Sequence, residues 1–192
     1  MTGTTRIPKA EMTGVRAAVM KRMARRMLGE VPDGLAVGWH NRKVLFFGFG
    51  LGRKSQKWHE CDESLKSFAH MAVASLVGCS ACLDLGYFQA HNQGLDMTKA
   101  REVPRWRESG AFTPLERDVM EYAEAMSQTP PTVTDELSAQ LLDELGAPAL
   151  VELTAYIALA NLYSRMNTAM GIGSQGLAAR CDLPPLAVPV TA

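Results

Sequence analysis

The chain lacks net charge, a long uninterrupted apolar run, and a second Cys/His pair at zinc-binding spacing. Lys plus Arg number 20 and Asp plus Glu number 20, so the clustered positive surface that nucleic acid or an anionic membrane demands is not expected. No stretch shows the roughly 18 consecutive apolar residues read as a membrane span. The start, Met1-Thr2-Gly3-Thr4-Thr5-Arg6, carries no apolar run behind a basic residue. No secretory signal is therefore read there, and the expected setting is the cytoplasm. Four cysteines in that setting do not read as a disulfide framework. No cofactor and no metal site are expected.

What is present suits one domain. The 192 residues are 47% hydrophobic and 21% charged, enough to bury a full core without a staple. The pattern is helical throughout. Glu11 to Leu28 reads as a first helix stopped by Gly29 and Pro32. Its stripe Val15, Val19, Met23, Met27 is read as the packed side, and Lys21-Arg22 with Arg25-Arg26 as the solvated face or a contact for an acidic partner. Leu35 to Leu51 is read as a helix interrupted by glycines, because no other segment offers a partner strand. Asp62 caps a helix over Glu63 to Val77, with Leu65, Phe68, Ala69, Ala72 and Leu76 on one apolar face. Gly78 ends it, Cys79 to Gln93 forms the next, and Gly94 closes that one. Thr98 caps a short helix limited by Pro104. Thr113-Pro114-Leu115-Glu116 is a capping box with proline at the first helical position, opening a helix to about Met126. Thr134 caps Asp135 to Leu145, Gly146 ends it, and Pro148 opens a last long helix to Met170. The organisation is then a loosely packed tail over 1–10, an N-terminal helical segment over 11–60, a helical core over 61–175, and a tail over 176–192. The Pro-rich end lies across the surface or a neighbouring subunit.

The chemistry-bearing motif is Gly78-Cys79-Ser80-Ala81-Cys82. Two cysteines three residues apart on a helix share one face, about a turn apart, so their sulfurs can meet. Gly78 places Cys79 at a helix start, where free N–H groups and the helix dipole favour a thiolate. The thiolate is the nucleophile, and attack followed by resolution by the second thiol is the logic of a redox dithiol. The pattern alone leaves two other readings open: two small buried residues that merely pack, and half of a zinc site.

The stretch from Leu65 to Gly94, an Ala- and Val-rich helix followed by Gly-Cys-Ser-Ala-Cys, resembles the carboxymuconolactone decarboxylase family and, within it, the alkylhydroperoxidase D-like branch. Glu152 to Asn167 is similar to the closing helix of these proteins, so the likeness runs over roughly residues 60–175. The resemblance implies an all-α, single-domain helical bundle that assembles into homo-oligomers, whether dimer, trimer or hexamer. It further implies reduction of a small peroxide or a disulfide through Cys79 and Cys82, with electrons from a partner thiol protein. In that pattern a Glu twelve residues before the first cysteine and a His four residues after the second relay protons to the second cysteine, which is the attacking thiol. Ser67 and Gly86 stand at those positions. The cysteines match and the relay does not.

His70 is the expected substitute, three residues after Ser67 and so on the same side of its helix. Asp84 follows Cys82 by two residues and points about 160° away, at about 100° per residue; it is expected to fix a neighbouring chain or a water. His91 lies about 180° from Cys82. Tyr87 falls nearer the cysteine face, and Glu63 reaches the thiols only if its helix tilts. Asn161, Arg165 and Asn167 are polar on an apolar helix, which points to a pocket lining or a subunit interface, and the interface is the expected one of the two. The alternatives to a redox enzyme are a non-catalytic oligomeric module and a lactone-acid lyase of the kind the family is named for.

Overall fold

Local punctuation divides the chain into helices before any packing is considered. The structure, a computed structural model, describes residues 5–188, and every α-helix or 3-10 turn named below lies within them. In chain order these are α1 (Gly14–Leu28), α2 (Asp33–Gly38) with a following 3-10 turn, α3 (Arg42–Ser55), α4 (Glu63–Val77), α5 (Ser80–Asn92), α6 (Met97–Ala100), α7 (Pro114–Ser127), α8 (Asp135–Met170) and α9 (Leu177–Arg180). The caps act as their chemistry requires. The Asp62 carboxylate accepts from Ser64 N–H at 2.7 Å, and Thr113 with Glu116 closes a reciprocal capping box. Gly78 ends α4 at φ 75°, a left-handed conformation that any Cβ would strain. Gly146, at φ 75° and ψ 161°, breaks α8 into the two helical runs expected on either side of it.

Helix α4 lies at the centre. Its Leu65, Ala69 and Val73 meet Val119 and Ala123 of α7 and Leu153, Ile157 and Ala160 of α8. Its other side, Phe68, Met71 and Ala72, meets Tyr87 and Ala90 of α5 together with Trp106 and Phe112. Phe68 and Phe112 stack edge to face at 5.7 Å, the arrangement the ring quadrupoles favour. Leu76, read as part of this packed face, is instead exposed, while Ala74 and Val77 of the same turn still pack inward.

A charge pair sits inside. Lys66, 1% exposed, donates to Glu152 Oε1 at 2.7 Å, Glu63 Oε1 at 2.8 Å and the Trp58 carbonyl at 2.7 Å. Glu152 Oε2 in turn accepts from Glu60 N–H at 2.8 Å. All three ammonium protons and both carboxylate oxygens have partners, which is the condition under which a buried pair is tolerated. Burial pulls the Lys66 ammonium down, but the hydrogen bonds from Glu152 and Glu63 outweigh it and its pKa is raised. Burial pushes Glu152 up, and Lys66 with the Glu60 and Cys61 amides overcomes this to hold it below the usual carboxylate range.

The periphery departs from the sequence expectations in the tail and on α1. Residues 5–10 are tied down rather than loose. Arg6 Nη1 donates to the Thr168 and Ala169 carbonyls at the end of α8, both at 2.9 Å, and Ala10 N–H donates to Ala36 O. On α1 the buried residues are Ala17 and Ala24, while the stripe Val15, Val19, Met23, Met27 faces outward, Val15 at 82% exposure. The small alanines permit the close approach, so the stripe that reads as the packed side is left uncovered. Phe46, Phe47 and Phe49 of α3 are exposed as well. Helix α8 does contain an 18-residue window of mean hydropathy 1.4, long and apolar enough for a membrane span; its Leu153, Ile157 and Ala160 are spent on the core.

Candidate active site

Helix α5 presents two chemically distinct faces. Cys79 is its N-cap, and the Cys79 Sγ accepts the Cys82 N–H at 3.2 Å. This is the orphan amide of a first turn satisfied by sulfur instead of oxygen. Cys79 and Cys82 are joined by a disulfide, with Cα atoms 5.3 Å apart. The two sulfurs expected to meet do meet. They are 1% and 4% exposed and pack with Ala74, Ala81 and Leu83.

The face of α5 carrying Cys82 and, one turn on, Gly86 looks toward α4 and α8. From α8, Asn167 Nδ2 donates to the Cys82 sulfur at 3.4 Å. From α4, His70 lies over Gly86: a Cβ at position 86 would stand 3.9 Å from His70 Nε2 and 3.1 Å from Met71 Cγ. The imidazole thus fills the space that a larger residue 86 would take, one helical turn, about 5–6 Å between Cβ positions, from Cys82. Neither His70 nitrogen has a hydrogen-bond partner among the described residues, and the ring packs tilted against Tyr156 at 6.4 Å. Burial pulls the His70 pKa down to about 4, so the ring is neutral and an acceptor across the physiological range.

The opposite face of α5 holds the C-terminal segment in place. Asp84 Oδ2 accepts from Ser174 Oγ at 2.7 Å and Leu177 N–H at 2.9 Å, and Oδ1 from Ala178 N–H at 2.9 Å. The carboxylate therefore caps α9 from another helix. Ser80 Oγ accepts from Ser174 N–H at 3.1 Å, and Tyr87 donates to the Pro184 carbonyl at 3.0 Å. Beside these contacts lies a mainly apolar pocket of about 360 Å³, bordered by Leu83, Tyr87 and Leu186.

Of the residues singled out from sequence, Cys79 and Cys82 come together, and His70 reaches the adjacent turn. Asp84 points away from Cys82 as expected, but it fixes its own chain. Tyr87 faces the C-terminal segment and not the cysteines. Glu63 stays at the far end of α4, paired with Lys66. Asn161 and Arg165 find partners within their own chain: both donate to Ser127 at the end of α7. Asn167 is the site residue that sequence reasoning did not connect to the cysteines; its only signal was polarity on an apolar helix. No group of three His, Cys, Asp or Glu side chains suited to a metal ion occurs among the described residues.

Three comparisons place the chain. The model of the carboxymuconolactone decarboxylase family matches residues 48–125, which runs from within α3 to near the end of α7 and leaves the Glu152–Asn167 likeness outside it. The uncharacterized protein YnjA of Escherichia coli K12 is 36% identical over 163 residues, 83% of this chain and 87% of its own length. Among solved structures, the alkylhydroperoxidase AhpD core of a peroxidase-related protein from Ralstonia eutropha JMP134 superposes with a TM-score of 0.77 at 14% identity, over 90% of this chain and 94% of that one. The debrominase Bmp8 superposes with a TM-score of 0.73 at 22% identity, over 84% and 87%.

Proposed function

From the premise that this chain belongs to the carboxymuconolactone decarboxylase family, with an alkylhydroperoxidase D-like all-helical fold, we propose that it is a thiol-dependent peroxidase or disulfide oxidoreductase working through Cys79 and Cys82. The observation that carries this is the Cys79–Cys82 disulfide at the first turn of α5, with one hydrogen-bond donor directed at each sulfur. In the reduced protein the Cys82 thiolate attacks the terminal oxygen of a small peroxide. An S–O bond forms, the O–O bond breaks, and the departing alkoxide takes a proton to leave as an alcohol. Sulfur is oxidised by two electrons and the peroxide is reduced by two. Cys79 then displaces water from the Cys82 sulfenic acid and the disulfide closes. A partner dithiol protein restores both thiols by exchange and leaves as its own disulfide.

His70 is the group proposed to take up the Cys82 proton. With Ser67 and Gly86 at the positions of the family's relay, no carboxylate among the described residues hydrogen-bonds to it. A base held near 4 is a weak acceptor for a thiol proton, since an ordinary thiol sits near 8.5. Ionisation of Cys82 therefore rests mainly on the one donor at its sulfur, and His70 supplies an acceptor site more than a driving force.

The test is peroxide-dependent oxidation of the pre-reduced protein, followed by intrinsic fluorescence or thiol titration, against Cys82→Ser and Cys79→Ser. Fast oxidation in the native chain, its loss in Cys82→Ser, and a stalled sulfenic acid in Cys79→Ser are expected. Equal rates in native and Cys82→Ser protein sink the proposal. A brominated pyrrole run alongside the peroxide checks debromination, the activity borne by another protein of this fold.

We further propose that the chain acts in the cytoplasm as a homo-oligomer, whose contacts cover the outward stripe of α1 and the phenylalanines of α3. Exposed apolar faces of this extent are disfavoured on a free monomer. Sedimentation of Phe47→Ser combined with Val19→Ser should show smaller particles than the native chain.

A further inference from the structure

Resting on the dithiol reading above, we propose that Asn167 is a catalytic residue whose carboxamide donates to the Cys82 sulfur and holds it as the thiolate once the disulfide is reduced. Residue 167 is held firmly by the end of its helix. Helix α8 ends in a cap in which Ile172 N–H donates to Asn167 O at 2.9 Å and Gly171 N–H to Thr168 O at 3.2 Å. Arg6 adds two further bonds to the next carbonyls. The backbone of the last turn is thereby immobilised, and the side chain is presented to α5 from a fixed point.

The carboxamide is not used to hold α8 itself. Asn161, two turns earlier on the same helix, donates to Ser127 Oγ at 2.9 Å and to its own Ile157 carbonyl at 3.2 Å, a structural role. Asn167 Nδ2 has one protein partner among the described residues, the Cys82 sulfur at 3.4 Å. The contact joins helices 85 residues apart in sequence. A sulfur is a weak acceptor while it is neutral, and becomes a strong one when it carries the negative charge. The contact therefore favours the anion over the thiol and over the disulfide.

Chemical fit favours an amide over the alternatives. A carboxylate here would repel the charge. A neutral donor stabilises the anion while leaving its lone pairs free to attack. Cys79 has a donor too, but it is the backbone N–H of Cys82, which any residue but proline at that position would supply. Asn167 is the replaceable one.

The experiment measures alkylation of the reduced protein by iodoacetamide across pH, with peptide-level mass spectrometry separating Cys82 from Cys79, Cys61 and Cys181. Cys79→Ser provides the background in which Cys82 cannot re-form the disulfide. Asn167→Ala should raise the Cys82 pKa by about one unit, and Asn167→Asp by more, as expected for losing a hydrogen bond to a charged group. The isosteric Asn167→Leu guards against a packing effect, and circular dichroism confirms that each variant is folded. In the dithiol background, losing the donor should shift the glutathione equilibrium about tenfold toward disulfide, about 30 mV more negative. An unchanged Cys82 pKa in folded Asn167→Ala and Asn167→Leu overturns the assignment. Alkylation needs no peroxide. A pKa shift without peroxide turnover would thus refute the peroxidase reading and leave the Asn167 role standing.

Discussion

His70 of α4 occupies the space above Gly86 of α5, its Nε2 3.9 Å from where a Cβ on residue 86 would lie. An imidazole borne by one helix is in this way delivered to a position on another. The family pattern places its histidine at residue 86 itself, and here the ring arrives from the neighbouring helix while the backbone position is empty.

Restoring the patterned histidine should therefore fail unless the substitute is removed. Gly86→His meets Met71 Cγ at 3.1 Å already at its Cβ and then runs into the His70 ring. It should cost about 1–3 kcal/mol, as overpacked cores do. His70→Ala alone should keep the fold and slow peroxide-dependent oxidation. The double variant should recover much of the stability and part of the rate. Urea titrations and stopped-flow oxidation of the four proteins decide it; additive effects would show that the two positions do not share one space.

Acid should destabilise the fold through the same ring. His70 is held at about 4 by burial against 6.5 when free, so the unfolded chain binds the extra proton first. Stability is fully present above the unfolded pKa and drains as pH falls from about 6.5 toward 4, at most about 2 kcal/mol between pH 7 and 5. His70→Gln should flatten that slope. Urea midpoints at pH 7 and pH 5 measure both, and equal slopes would remove His70 as the cause.

Breaking the buried pair should be among the most damaging single changes. Lys66→Met leaves Glu152 charged and only 8% exposed, with an expected loss of about 3–5 kcal/mol. Adding Glu152→Gln removes the stranded charge while keeping an oxygen for the Glu60 amide. The double variant should be clearly more stable than Lys66→Met alone, and thermal unfolding of the set is the check.

Asp84→Ala should free the C-terminal segment without harming the centre. The change strands the Leu177 and Ala178 amides and the Ser174 hydroxyl together, each worth about 1–3 kcal/mol when left unpaired. Hydrogen exchange over residues 174–187 should accelerate strongly, while amides of α4 and α7 keep their protection. Uniform acceleration across the chain would mean that the segment is part of the cooperative core.

The helices were legible because each is written locally. Asp62, Thr113 and Thr134 cap where their side chains can reach the second or third amide onward, and Gly78, Gly146 and Gly171 stop helices where the backbone turns left-handed. The dithiol was legible for the same reason, since a separation of three residues brings two sulfurs together whatever surrounds them. His70 could be proposed from its place near Ser67, yet only the angle between α4 and α5 brings it over Gly86. For α1 the periodic stripe misled: Ala17 and Ala24 pack inward because small residues allow close approach, and periodicity identifies a stripe without saying which side is covered.

Composition and short-range pattern alone determined an all-helical chain with a CxxC pair at a helix start. Tertiary structure decided the partners of that pair and of the buried charge. Asn167 meets Cys82 across 85 residues and Lys66 meets Glu152 across 86. Contacts at such separations follow from how whole helices cross, and no local period encodes that crossing.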